Sequence, residues 1–131
     1  MRREIKTRED LFFLVDEFYK RVRQDEEIGW IFNELIKDWP KHLELITDFW
    51  EFHIFKTYKY RGNPMQAHIE VDQKIGQKIT PKDVGTWLFH WLGVINEYFE
   101  GDNAEVLKFK ARKMQTMLYM GIHESRSLSA E

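Results

Sequence analysis

The sequence lacks cysteine and has little proline or glycine. Cysteine is absent from its 131 residues, which excludes disulfides, thiolate catalysis, zinc–thiolate sites and iron–sulfur clusters. Only 3 prolines and 7 glycines are present, and they concentrate where one segment gives way to the next. No apolar run approaches the roughly 20 residues that a membrane-spanning helix needs, so we expect no interaction with a membrane.

An excess of positive charge is also missing. Lys and Arg number 20 against 22 Asp and Glu, which gives a net charge of −2. A nucleic-acid partner that requires a broad basic surface is therefore not expected. The first six residues are mostly charged and no apolar segment follows them, so we expect no export signal and predict a cytoplasmic protein.

Aromatic side chains, by contrast, are abundant. The chain contains 10 Phe, 5 Trp and 5 Tyr, and 43% of its residues are hydrophobic, which is enough for one folded domain. That much ring area in a small domain indicates either a bulky core or a large, flat ligand. We predict a single domain over residues 1–124 and a frayed tail over residues 125–131.

Hydrophobic periodicity and capping residues predict an all-α protein. Apolar residues recur at spacings of three and four, as in Leu11, Leu14, Val15 and Phe18, which is typical of one helical face. Thr7, Asp38 and Thr80 are residue types that commonly cap helix N-termini. The predicted helices cover residues 8–23, 30–36, 39–56, 65–71, 81–100 and 104–122. The stretch from Thr57 to Thr80 is poor in regular structure, which indicates that something holds it in place.

Histidines are the first candidates for chemistry. His42, in the first turns of a predicted helix, is either a polar group that projects into a pocket or an exposed histidine. His68, in the loosely structured stretch, is either a metal ligand or a surface residue. The remaining histidines are expected at the surface or in an interface: His53, His90 and His123.

Two aromatic residues with polar groups are further candidates. Trp91 lies on an apolar helical stripe, where its indole N–H bonds either a carbonyl in the core or a group in a pocket. The hydroxyl of Tyr19 lies either inside the protein or at the rim of a pocket, and the pattern leaves both open. The motifs of P-loop, dinucleotide-binding, zinc-protease and serine-hydrolase sites are absent from the sequence.

Four segments occur in a specific order and spacing. They are Phe18–Asp25 with Gly29 and Ile31–Phe32, Asp38–Leu43 with Ile46 and Phe49–Trp50, Tyr60–His68, and Phe89–Leu92. Together they resemble the truncated haemoglobins, and most closely the third group of that family. The resemblance covers residues 8–122. It implies a globin-like fold, a truncated two-over-two helical sandwich around haem b.

The resemblance also implies roles for individual residues. His68, which ends the third segment, corresponds to the proximal iron ligand. Tyr19, His42 and Trp91 correspond to the residues that stabilise a ligand on the distal side. Ile46 and Phe49 are expected to contact the haem. The second ring nitrogen of a ligating histidine usually has a hydrogen-bond partner, for which the sequence offers Asp72 or, as we expect, a backbone carbonyl.

The function that the resemblance implies is binding of O₂ and other small ligands, such as NO, CO or peroxide, at a five-coordinate iron. A polar distal pocket also suits NO dioxygenase or peroxidase-like activity with an external reductase. One alternative is a helical interaction module without a cofactor. Another is a di-iron protein of the haemerythrin type, but only His68 has an acidic residue, Asp72, four positions later.

Overall fold

The computed structural model describes residues 1–129, and about three quarters of them are helical. Within this range six helices follow one another: α1 Arg8–Gln24, α2 Gly29–Leu35, α3 Trp39–Phe55, α4 Pro64–Lys74, α5 Pro81–Tyr98 and α6 Asp102–Ser129. The all-α prediction is confirmed. Among residues 1–129, none of the helices combines the length and the apolar character that crossing a bilayer requires.

Side-chain caps are present at the helix starts that the sequence predicted. Thr7 and Thr80 each accept a hydrogen bond from the backbone N–H three residues later, and Asp10 and Asp83 return the bond to the cap. These are capping boxes, which satisfy N–H groups that have no partner inside the helix. Asp38 caps α3 by a one-way bond, since its side chain accepts from the N–H of Lys41.

Two helix pairs enclose the core. α1 packs on α3 and on α5, and α5 packs on α6, which also contacts α3 and α4. The apolar stripes predicted for α1 and α5 face each other in this core, where Leu11, Leu14 and Val94 are fully buried. The arrangement is the predicted helical sandwich, with α2 and α4 added at its open side.

α4 is longer than the sequence predicted. We expected a single short helix over residues 65–71 surrounded by loop, with Asp72 beyond its end. Instead α4 extends from Pro64 to Lys74. Its start is stabilised by the Asn63 side chain, which accepts a hydrogen bond from the N–H of Gln66. Its end is held because Asp72 is buried and fully bonded.

The buried Asp72 and the partly exposed Arg126 form an ion pair that joins three parts of the chain. Arg126 Nε donates to Asp72 Oδ2 over 2.9 Å, and Nη2 donates to Oδ1 over 2.7 Å. The same Nη2 donates to the carbonyl of Ile79, whose own N–H donates to Asp72 Oδ1. We call this arrangement, made by Asp72, Arg126 and the Ile79 backbone, the Asp72 clamp.

The Asp72 clamp explains why α6 exceeds its predicted length. The sequence placed the end of α6 near Ile122 and a frayed tail after residue 124, but the helix continues to Ser129. Arg126, on this added part, reaches back to α4. A small apolar cluster beside the clamp adds burial, with Ile31, Ile75, Ile79 and Ile122 at its centre. Residues 130 and 131 of the predicted tail lie outside the described residues, and the domain limit at residue 124 stays a prediction.

We predict that Arg126→Ala lowers the free energy of unfolding by about 3–5 kcal/mol, because it leaves the Asp72 carboxylate buried without its charged partner. Urea denaturation measures this difference. The double variant Asp72→Asn/Arg126→Ala is expected to recover part of the loss, since no buried charge remains. Arg112→Ala, at an exposed position of the same helix, serves as the control and is expected to change stability by less than about 0.5 kcal/mol. Equal losses for Arg112 and Arg126 would contradict the role of the clamp.

Candidate functional site

A cavity of about 250 Å³ lies inside the sandwich, and all six helices contribute to its wall. The wall is mostly apolar and aromatic. Its apolar members include Phe18, Ile28, Ile31, Phe32, Ile46, Phe49, Trp50, Trp87, Met114 and Leu118. Ile46 and Phe49, which were predicted to contact the cofactor, are both in this wall. The polar side chains in the wall are few, and two histidines are among them.

His68 lies in the part of the wall that α4 provides. Its ring nitrogen Nδ1 donates a hydrogen bond to the carbonyl of Pro64, one turn earlier in the same helix, over 2.6 Å. This bond fixes both the tautomer and the orientation of the ring, and it leaves Nε2 as the nitrogen with a free lone pair. The expectation that a backbone carbonyl rather than Asp72 holds the second nitrogen is confirmed. Asp72 is occupied by Arg126.

Tyr19 and His42 form a hydrogen-bonded pair in the cavity wall. Tyr19 Oη lies 3.1 Å from His42 Nε2, and the two rings meet edge to face. Tyr19 comes from α1 and His42 from the first turns of α3, so the packing of these two helices creates the pair. Both residues also line the cavity. The sequence left open whether each was inside or at the surface, and the structure shows Tyr19 buried and His42 half-buried in the cavity wall.

Burial determines the protonation of these groups. It raises the pKa of Tyr19 far above the usual range of tyrosine, so the phenol keeps its proton. It also lowers the pKa of His42, and the charge of a protonated His68 would lower it further. Burial lowers the pKa of His68 as well, although the bond to Pro64 partly opposes this. At neutral pH both imidazoles are therefore neutral, the form in which a histidine ligates a metal.

Trp91 is not part of the cavity wall, which corrects the prediction for this residue. It is fully buried, its Nε1 donates to the carbonyl of Leu107 over 3.3 Å, and its ring stacks on Trp50 at 4.7 Å. The indole that lines the cavity belongs to Trp87, one turn earlier on α5. Among the described residues Trp87 Nε1 has no hydrogen-bond partner. For Trp91 the structure shows the first of the two predicted arrangements, a core tryptophan whose N–H bonds a backbone carbonyl.

Sequence reasoning missed Trp87 and Tyr60 as cavity residues. Tyr60 contributes to the wall from the segment before α4, packs edge to face on Phe49, and has a pKa raised by burial. Trp87 lies on the same predicted apolar stripe as Trp91, so periodicity alone does not separate the two. Tyr60 belongs to a segment without periodicity, and only its place in the resemblance motif marked it.

The corner between α2 and α3 was left unassigned from sequence. In the structure Trp39 fills it, with its ring 5.4 Å from that of Tyr19 and 5.6 Å from that of His42. The guanidinium of Arg23 lies 4.2 Å from the Trp39 ring on the outer side. A second, outer groove is lined here by Tyr19, Arg23 and Trp39 among others. Tyr19 thus borders both the cavity and this groove.

The other three histidines do not line the cavity. His90 Nε2 lies 2.7 Å from Asp25 Oδ2, which ties α5 to the end of α1. His53 packs on Phe49 and Trp50, and its Nδ1 is buried without a hydrogen-bond partner among the described residues. His123 is exposed. Within residues 1–129 no three His, Asp or Glu side chains are close enough together to hold a metal ion.

Known proteins resemble this chain in sequence and in structure. No family model matches the chain. A sequence relative is the group 3 truncated hemoglobin ctb of Campylobacter jejuni, which is 31% identical over 75 residues. That match covers 54% of this chain and 59% of the relative, so it spans less than two thirds of the relative's length.

The structural similarity extends over nearly the whole chain. The crystal structure of a group III truncated hemoglobin from Campylobacter jejuni superposes with a TM-score of 0.79, covering 90% of this chain and 92% of the other at 24% identity. This similarity establishes the fold. The chain therefore has the fold of a truncated haemoglobin, and its resemblance to the third group of that family is confirmed.

Proposed function

We propose that the chain is a haem-binding globin that holds haem b through His68 and binds O₂ and other small diatomic ligands. The observation that carries this proposal is the His68 side chain. Its Nδ1 is anchored on the Pro64 carbonyl, and its Nε2 is left free in an apolar cavity that the Tyr19–His42 pair also lines. An anchored imidazole beside a hydrophobic slot is what a haem iron requires from a protein.

The residues present fit this cofactor. Aromatic and aliphatic side chains from several helices form the wall, which suits a flat apolar macrocycle. His68 would ligate the iron through its unpartnered Nε2, and a porphyrin would supply further ligands of its own. Because the sequence has no cysteine, the cofactor is expected to be held without thioether bonds, as in haem b.

Haem, when bound, supplies an iron that binds diatomic ligands and changes its oxidation state. The chain's own residues provide the surroundings of that iron. His68 would hold and orient it, the apolar wall excludes water, and the Tyr19–His42 pair offers a hydrogen bond to a polar ligand in the cavity. A hydrogen bond to a charged acceptor stabilises it by roughly 1.5–3 kcal/mol, which is about tenfold to a hundredfold in affinity.

The Tyr19–His42 contact limits how many protons the pair offers to a ligand. Two arrangements satisfy the 3.1 Å contact between Tyr19 Oη and His42 Nε2. If His42 donates to Tyr19, the phenol O–H is free to donate into the cavity. If Tyr19 donates to His42, neither Oη nor Nε2 has a proton left for a ligand. The pair therefore offers at most one hydrogen bond at these two atoms, and not two independent ones.

The same pair suits proton delivery. A single hydrogen bond joins Tyr19 Oη and His42 Nε2 in the cavity wall, so that a proton can pass between the two atoms. We therefore include NO or peroxide turnover in the proposal, with electrons supplied by a reductase that is a separate protein. Proton transfer by a positioned side chain is a common contribution to such chemistry.

We predict that the purified chain develops an intense Soret band when titrated with hemin. His68→Ala is expected to lose that band or to shift it markedly, since the axial nitrogen is gone. His123→Ala removes an exposed histidine that does not line the cavity, and we expect an unaltered spectrum. A wild-type chain that circular dichroism shows to be folded and that stays colourless would contradict haem binding and support the cofactor-free alternative. Circular dichroism also checks that both variants are folded.

A second prediction concerns the Tyr19–His42 pair. After Tyr19→Phe the imidazole still has an N–H to offer, and after His42→Leu the phenol still has its O–H. We expect each single variant to speed O₂ release, measured by stopped flow, by less than about tenfold. The double variant removes both donors of the pair and leaves the Trp87 N–H in the cavity wall, and its effect is expected to exceed the product of the two single effects. If the effect of the double variant equals the product of the two single effects, the conclusion that the pair offers only one hydrogen bond is wrong.

A third prediction separates the two tryptophans of α5. Trp87→Phe removes an unpartnered N–H from the cavity wall. It is expected to speed O₂ release several-fold with little change in stability. Trp91→Phe removes the bond to Leu107 and leaves space beside Trp50, so it is expected to lower the free energy of unfolding by about 1–3 kcal/mol. If only Trp91→Phe alters O₂ release, the assignment of Trp87 is wrong.

A further inference from the structure

α6 carries a second apolar face, separate from the one that lines the cavity. Ala111, Met114 and Leu118 point inward, whereas Phe109, Met117 and Met120 are each more than half exposed, as is Leu128. Lys113 and Glu124 are exposed on the same side. The six side chains follow spacings of four and three, so they lie within about a third of a turn. We call this set the outer face of α6.

The residue types of the outer face are arranged symmetrically about its midpoint. Its centre falls between Leu118 and Tyr119, and residue types pair at equal distances on either side of it. Met117 pairs with Met120 closest to the centre. Lys113 pairs with Glu124 further out. Phe109 pairs with Leu128 at the ends. Within this set apolar residues thus match apolar residues, and Lys113 matches Glu124.

We propose that the outer face binds a second copy of this chain, with the two α6 helices antiparallel about a twofold axis at that centre. In this arrangement Met117 meets Met120 of the partner, Phe109 meets Leu128, and Lys113 lies opposite Glu124. A twofold interface is self-complementary by construction, which is the property that the sequence of this face has. The proposal does not depend on the proposed function.

The structure leaves these groups available for such a contact. Among the described residues Glu124 forms no ion pair, and Lys113 has a single interaction, with the Phe109 ring at 5.5 Å. The Asp72 clamp keeps α6 helical to Ser129, so Glu124 and Leu128 are presented in register with the first half of the helix. The outer face spans about 28 Å of a helix, enough for a long side-by-side contact.

Charge reversal tests the proposal in the full-length chain. Sedimentation velocity over about 10 μM to 1 mM is expected to show a monomer–dimer equilibrium. Lys113→Glu places two like-charged pairs in the interface and is expected to raise the dimer Kd roughly tenfold or more. Glu124→Lys is expected to do the same. The double variant K113E/E124K exchanges the charges and is expected to restore the wild-type Kd within about threefold.

Arg112→Glu is the matched control, because it makes the same change of charge at an exposed position outside the outer face. It is expected to leave the Kd unchanged. A chain that stays monomeric over the whole concentration range overturns the proposal. So does a dimer whose Kd does not respond to either single variant, since that dimer uses another surface.

Cysteine cross-linking tests the register directly, because the chain has no cysteine of its own. In the proposed dimer, residue 113 of one copy lies next to residue 124 of the other, and two copies of residue 113 lie about 16 Å apart. A disulfide requires Cα atoms within about 7 Å. Mixing K113C with E124C under mild oxidation is therefore expected to give a covalent dimer, and either variant alone is not. Equal cross-linking of the single variants would overturn the antiparallel register.

Discussion

The Asp72 clamp is the constraint on which the cavity depends. α4 does not belong to the two helix pairs of the sandwich and contacts mainly α6. Without a strong attachment, an 11-residue helix that starts after a loop would have little to fix its position. Asp72 supplies that attachment, since its two oxygens accept three hydrogen bonds, from Arg126 twice and from the Ile79 N–H. A carboxylate buried to this degree is tolerated only when it is fully bonded.

The position of His68 follows from that attachment. His68 and Asp72 lie one turn apart on α4, so a helix held at Asp72 is also held at His68. The Pro64 carbonyl then fixes the rotation of the imidazole. On another part of the cavity wall, packing rather than charge fixes the side-chain positions, because Trp39 lies against both Tyr19 and His42. The helix that carries His68 is thus held by Asp72, and Tyr19 and His42 are packed against Trp39, and neither Asp72 nor Trp39 lines the cavity.

Local features of the sequence predicted most helix starts and several site residues. Thr7, Asp38 and Thr80 cap their helices as expected, because capping depends on residues within one turn. The length of α4 and of α6 depended on Asp72 and Arg126, which are 54 positions apart, and no local pattern connects them. Trp91 and Trp87 share one helical stripe, and their roles are separated by the neighbouring helices alone. The family resemblance predicted roles for His68, Tyr19 and His42, because the sequence pattern around each of these residues left its role open.

The clamp also links the cavity to the outer face of α6. Arg126 lies on α6 between Glu124 and Leu128, and its bonds to Asp72 stabilise the helical turns that carry both. The last turn of an isolated helix frays readily, since its carbonyl groups lack partners. One ion pair therefore serves two structural purposes. It orients α4 toward the cavity on one side of α6, and it keeps the end of α6 ordered for a partner on the other. A dimer formed through that face would in turn stabilise the clamp, because binding to the ordered helix favours the ordered state.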